Sequence, residues 1–125
     1  MKVLLSIKPE FANKIFEGTK KFEFRRSIFK DRNVRTVIVY ASSPVQRVIG
    51  EFEISQILTL CKEQLWELTK LHAGIEKEFF DEYFWDKDFA NALEIESVSI
   101  YPNPLDLLKD FQIKTPPQSF QYIPN

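Results

Sequence analysis

The chain has 125 residues, 44% of them hydrophobic and 14% aromatic, with a net charge of −1. That length fits one domain, residues 1–125, with a real core, and no apolar run approaches the roughly 20 residues a membrane-crossing helix needs. One cysteine (Cys61) and one histidine (His72) exclude an internal disulfide and a Cys/His zinc site built from one chain, so no metal or cofactor is expected.

The opening stretch MKVLLSIKPEF has too short an apolar run for a secretory leader, and a soluble cytoplasmic protein is expected. Charge is polarised along the chain. Residues 1–50 carry eleven Lys or Arg against four acids, a balance of +7; residues 51–125 carry six against fourteen, a balance of −8. A basic face for an anionic partner is one reading of this; the other is that the halves interleave in space and cancel.

VLLSI (3–7) reads as a buried first strand. Lys8-Pro9 opens a short helix, given an apolar side by the pairs Phe11/Ile15 and Ala12/Phe16 and ended by Gly18. A second strand follows from Lys21 to Arg25, then a basic loop from Ser27 to Arg35. TVIVYAS is a β-branched strand, and a long strand spans about Gln46 to Leu58, with Gly50 marking a bulge or bend. Residues 61–73 read as a helix with Leu65, Leu68 and Leu71 on one side, and Cys61 stands at the junction as a packed thiol. A second helix runs from Ile75 to about Trp85, packing through Phe79 and Tyr83. Ala92 to Tyr101 is a strand whose phase shifts between Ile95 and Val98; Pro102-Asn103-Pro104 ends it and PLDLLKDF forms a short helix. The tail TPPQSFQYIPN can close over a site or complete an edge. Consecutive strands argue against a doubly wound parallel sheet. The expected class is α+β, a small mixed barrel of five to six strands with short peripheral helices.

The stretch EGTKKFEFRR (17–26) concentrates the polar chemistry. In FEFR, Phe22 and Phe24 point to one face, and Glu23 and Arg25 to the other. A carboxylate and a guanidinium two residues apart can orient each other and offer a fork to an anionic or amide-bearing ligand. The turn lysines Lys20 and Lys21 can approach the same spot. The alternative is a solvated strand face with a surface ion pair worth roughly 0–1 kcal/mol.

Gly18-Thr19-Lys20-Lys21-Phe22-Glu23-Phe24-Arg25 resembles the Gly-x-Lys-x-x-Glu-x-Arg hallmark of the ASCH domain, a branch of the PUA-like superfamily. Every fixed position is matched. The order of elements around it, VIVYASSPVQRVIGEFEI and the tail PPQSFQYI are similar to the family as well. The resemblance implies a PUA-like barrel with helices around a cleft lined by the motif, and RNA or a modified nucleoside as the ligand class. Some members are ribonucleases, one group hydrolyses acetylated cytidine, and others are described as RNA-binding modules or coactivator parts, which implies a regulator of transcription or translation. In the amidohydrolase group a threonine stands where this chain has Glu23, and a carboxylate cannot take a hydroxyl's part in acyl transfer.

The expected function is therefore an RNA- or nucleotide-binding module. The alternative is a hydrolase acting on RNA or on a modified nucleoside, with Lys20 and Tyr40 as the catalytic pair. Candidate ligand-binding residues are Lys8, Lys20, Glu23, Arg25, Tyr40, Ser42 and Ser119. Lys20 and Arg25 would neutralise a phosphate, and Glu23 would hold Arg25 or accept from a base edge. Tyr40 would stack on a base or serve as a plain core tyrosine. Tyr122 lies in the tail beside Ser119. Glu51 or Glu53 would supply a base in a ribonuclease, and His72 reads as a surface side chain. The segment LWELTKLHAGIEKEFFDEYF has helix-turn-helix spacing, but Glu76, Glu78, Asp81 and Glu82 would repel phosphates. Duplex DNA is not an expected partner, nor is a membrane.

Overall fold

The computed structural model describes residues 1–125. Strand β1 (Lys2–Ile7) takes the first apolar run, and helix α1 (Pro9–Glu17) starts on Pro9, whose missing N–H has no partner to lose there. Gly18, at φ 89°, closes α1 by returning its N–H to the last-turn carbonyls. Then come β2 (Phe22–Arg25), β3 (Thr36–Ala41), β4 (Arg47–Cys61), α2 (Lys62–Thr69), a 3-10 turn (Lys70–His72), α3 (Lys77–Tyr83), β5 (Phe89–Leu105), α4 (Leu107–Phe111) and β6 (Gln121–Ile123). No helix is long and apolar enough to cross a membrane.

The six strands form one mixed sheet in the order β2-β5-β4-β3-β1-β6. Only β1 and β3 pair in parallel; every other neighbour is antiparallel. The sheet curls into the PUA-like barrel shape. No ladder joins its two ends. A side chain does: Arg25, on the β2 end, donates from Nη1 to the Ser6 carbonyl of β1 (3.4 Å) and from Nη2 to the Ser119 carbonyl just before β6 (2.7 Å).

The period-2 pattern of β1 and β3 sorts their residues between two cores. Val3, Leu5, Ile7, Val37 and Val39 pack inside the curl with Ile15, Phe29 and Phe52. Leu4, Ile38 and Tyr40 face the other side, where Leu107 of α4 and Ile113 cover them. A third core seats α2 and α3 on β2 and β5 through Phe22, Phe24, Leu65, Phe80 and Phe84.

Several sequence expectations need correction. Of the three leucines expected on one helix face, Leu65 is buried while Leu68 and Leu71 are 61% and 85% exposed. An eight-residue helix covers a narrow stripe, taken here by Leu65 and Thr69, and the 3-10 turn then carries Leu71 off that face. Helix α3 is shorter than expected, Lys77–Tyr83. Strand β5 does not end at Pro102: it runs to Leu105, because Pro102 and Pro104 fall where the ladder jumps from the Gly50–Ile100 pair to Val48–Leu105 and no N–H is needed. The phase shift near Ile95 is a bulge, with Glu53 opposite Ser97 and Ile54 opposite Ile95. The tail completes an edge by pairing with β1.

Gly50 sits at an irregularity of both its ladders. A Cβ there would lie 2.5 Å from the Ser99 carbonyl oxygen and 2.8 Å from the Phe16 ring. The first neighbour is backbone and cannot step aside. Gly50→Ala is expected to cost about 1–3 kcal/mol as an overpacking change, read as a lower urea midpoint at unchanged m-value.

Candidate functional site

Alternation on β2 sends Phe22 and Phe24 into the core beneath α2 and α3 and leaves Glu23 and Arg25 on the opposite side. There Arg25 Nη1 lies 3.2 Å from Glu23 Oε2, with the two side chains 13% and 8% exposed. This is not the solvated pair that a strand face often carries. An ion pair so far from water is costly to break, because the remaining partner stays buried and uncompensated.

Lys20 is not on an open turn, as its position before β2 suggests. It is 2% exposed. Its Nζ donates to the Ala73 carbonyl at 2.6 Å and lies 4.9 Å from the Phe24 ring centroid and 5.5 Å from that of Phe11. The segment that buries it comes from far along the chain. The Lys21 N–H donates to the His72 carbonyl and Lys14 Nζ to the Gly74 carbonyl, so residues 72–74 are stapled across α1 and the start of β2. Gly74 is required there twice. Its φ is +71°, and a Cβ would meet the Lys20 stem at 2.6 Å.

Burial lowers the Lys20 pKa to about 8, against the pull of the Glu23 charge, which raises it, and with a smaller push downward from Lys14. Its neighbour Tyr83 has its hydroxyl pushed up, chiefly by burial.

These side chains border a recess of about 250 Å³. One wall is Lys8, Phe11 and the end of β1; the floor is Lys20, Glu23, Phe24 and Arg25. The other wall is Ile75, Phe79 and Tyr83, with Gln118 of the tail at the rim. Phe79 and Tyr83 stack with ring planes 19° apart, and Lys8 Nζ lies 5.9 Å from the Phe79 centroid. Four of the seven candidate binding residues thus meet at one place: Lys8, Lys20, Glu23 and Arg25.

The other three lie elsewhere. Tyr40 is 5% exposed in the core under α4, on the side of β3 away from the inner core. Ser42 belongs to the turn after β3, where its N–H donates to the Ile7 carbonyl. Ser119 touches the site only through its carbonyl on Arg25, and its Oγ pairs with Ser27 Oγ at 3.1 Å. Tyr122 accepts the Lys30 and Asp31 N–H groups and so anchors the basic loop. Glu51 accepts from the Tyr101 hydroxyl and Glu53 from the Thr36 hydroxyl; neither borders the recess. In the sequence, Phe11, Phe79 and Tyr83 read as packing residues only. Their available signal was position, one aromatic two residues past Pro9 and two others a helical turn apart after Gly74.

The ASCH domain family model matches residues 5–99. The chain belongs to the ASCH domain family. It is 31% identical over 122 residues to a Zymomonas mobilis protein named ASCH domain-containing ribonuclease, covering 96% of this chain and 82% of that one. The crystal structure of ASCH from Zymomonas mobilis superposes with a TM-score of 0.89 at 27% identity, covering 98% of this chain and 87% of the other. The large ribosomal subunit protein uL22 of Ureaplasma parvum serovar 3 is 28% identical over 121 residues, which are 97% of this chain. The ASCH chain spans only 39% of that protein's length.

The lowered Lys20 pKa makes a stability prediction. Between about pH 8 and the ordinary lysine value of 10.5, the unfolded chain holds a proton that the folded chain has lost, so stability contributed at this position rises with pH. The unfolding free energy of the wild type should gain on that of Lys20→Met across this window, by roughly 3 kcal/mol at most, and should run parallel to it below pH 7. Urea unfolding at a series of pH values measures the difference.

Proposed function

We propose that this ASCH domain binds single-stranded RNA or a nucleotide in the recess floored by Lys20, Glu23 and Arg25. One observation carries the reading: the charged residues of the family signature converge, buried, on a concave wall with aromatic side chains instead of standing on open surface. Small-molecule sites generally combine an apolar lining with a few convergent polar groups, and unpaired bases are held by aromatic faces together with polar contacts. The Zymomonas relative named as a ribonuclease supports RNA as the class of partner. The acidic, solvent-exposed residues of α3 (Glu78, Asp81 and Glu82) weigh against duplex DNA in a groove-reading mode.

A second reading, hydrolysis of RNA, is favoured by the same relative and by the Lys20 amine, whose pKa of about 8 suits proton transfer near neutral pH. In that reading Lys20 moves the proton and Tyr40, packed under α4, does not share the recess with it. Acetyl-cytidine hydrolysis by a motif threonine has no counterpart here, since the position is Glu23.

Incubating the chelator-treated protein with labelled single-stranded RNA separates the two. The binding reading expects intact RNA and an affinity that Lys20→Ala lowers at least about tenfold while the circular dichroism spectrum is unchanged. The hydrolase reading expects cleavage that the same variant abolishes. A rate that rises as pH passes 8 would mark Lys20 as a base, and one that falls would mark it as an acid. Wild-type affinity and no cleavage difference in Lys20→Ala would remove the recess from either role.

A further inference from the structure

The polar groups around the recess are not equally free. Arg25 has committed three of its five guanidinium donors: Nη1 serves Glu23 and the Ser6 carbonyl, and Nη2 serves the Ser119 carbonyl. Lys20 has donated one of its three protons to Ala73 and lies against two aromatic rings. Glu23 is bonded through Oε2 alone. No buried side-chain oxygen is left without a partner, so the second oxygen, Oε1, is reached from the recess that this 6% exposed residue lines. The floor therefore offers a fixed acceptor, Glu23 Oε1, and a donor, the Lys20 amine. No ion pair joins the two, although each feels the other's charge.

We infer that the recess reads the hydrogen-bonding edge of an unpaired nucleobase, whose N–H donates to Glu23 Oε1 while an adjacent carbonyl or ring nitrogen accepts from Lys20, and that it rejects phosphate. This rests on the nucleotide-binding reading above and says which end of the nucleotide enters. Three features favour the base. A carboxylate oxygen facing the ligand repels an anion at short range in a site of low dielectric. Three of the five guanidinium donors that could meet a phosphate are already given to Glu23 and two backbone carbonyls. Three aromatic side chains, Phe11, Phe79 and Tyr83, are part of the lining, and aromatic side chains are the usual neighbours of unpaired bases. The size agrees: about 250 Å³ lies just under the usual 300–1,000 Å³ of small-molecule sites, room for one base and not for a folded strand. A base already paired in a duplex has its donor–acceptor edge engaged and cannot bind in this way.

The test titrates the full chain with uridine, 3-methyluridine and ribose 5-phosphate, following the recess amides by NMR, in parallel with binding of a single-stranded oligouridine. The inference expects uridine to shift the amides of residues 20–25. It expects 3-methyluridine, which has lost the N–H, to bind at least about tenfold more weakly, and ribose 5-phosphate to leave these amides unmoved. Uridine affinity should change less than twofold between 50 and 500 mM salt. Because these comparisons use the wild type, they do not depend on a variant folding; Glu23→Gln, checked by its own NMR spectrum, should weaken uridine to the same extent. Ribose 5-phosphate binding as well as uridine, or 3-methyluridine binding undiminished, overturns the inference. Oligouridine binding at the recess without nucleoside discrimination overturns it while leaving RNA binding in place. Failure of both oligouridine and uridine to bind overturns the two together.

Discussion

The Arg25 guanidinium holds the two ends of the sheet together. A six-stranded sheet with β2 at one end and β6 at the other has two unpaired edges, and edges left open invite further pairing. Here one planar, always charged group reaches across the gap to two main-chain carbonyls, one on β1 and one before β6, and keeps a carboxylate beside it. Guanidinium geometry suits such a bridge because it places several donors in a fixed fork, which a single ammonium cannot do. The bridge lies beside the recess, to which β2 supplies the floor and β1 one of the walls. The signature arginine thus has an architectural part in this structure.

Lys20 shows how the same arrangement is sustained at a cost. Burying an amine is unfavourable unless it is paired or neutralised, and the lowered pKa records that cost. Ala73 and two aromatic rings offset part of it. The covering segment can come so close only because residue 74 has no side chain. The helices α2 and α3, which resemble a DNA-reading pair in sequence, serve here to seat that lid-like turn and its aromatic wall. Their apolar sides are taken up by Phe22, Phe24, Ala90 and Ala92.

The charged side chains that line the recess, Lys8, Lys20, Glu23 and Arg25, all come from the basic first half of the chain. Basic residues of the first half, Lys8 and Lys14, flank the recess on one side, yet the neighbouring surface is completed by Glu10 and Glu76. The second half meets the recess through uncharged side chains, Ile75, Phe79, Tyr83 and Gln118. A floor that pairs an amine with a carboxylate is consistent with recognition by complementary hydrogen bonds more than by bulk attraction.

Local rules were enough for the elements with strong local signals. Pro9 and Gly18 delimit α1, β-branched alternation marks β3, Gly50 marks a bulge and the phase break near Ile95 marks another. The spacing of Glu23 and Arg25 was also sufficient to place them side by side, because a strand repeats every two residues whatever surrounds it. What surrounds them was not legible. That Lys20 is buried depends on a turn 53 positions away in the chain, and that Tyr40 turns from the recess depends on α4 covering the other side of β3. Which oxygen of Glu23 is free depends on where Arg25 finds its carbonyls. Spacing along a chain determines which side chains share a face; burial and hydrogen-bond partners belong to whatever the rest of the chain lays against that face, and only the folded arrangement decides them.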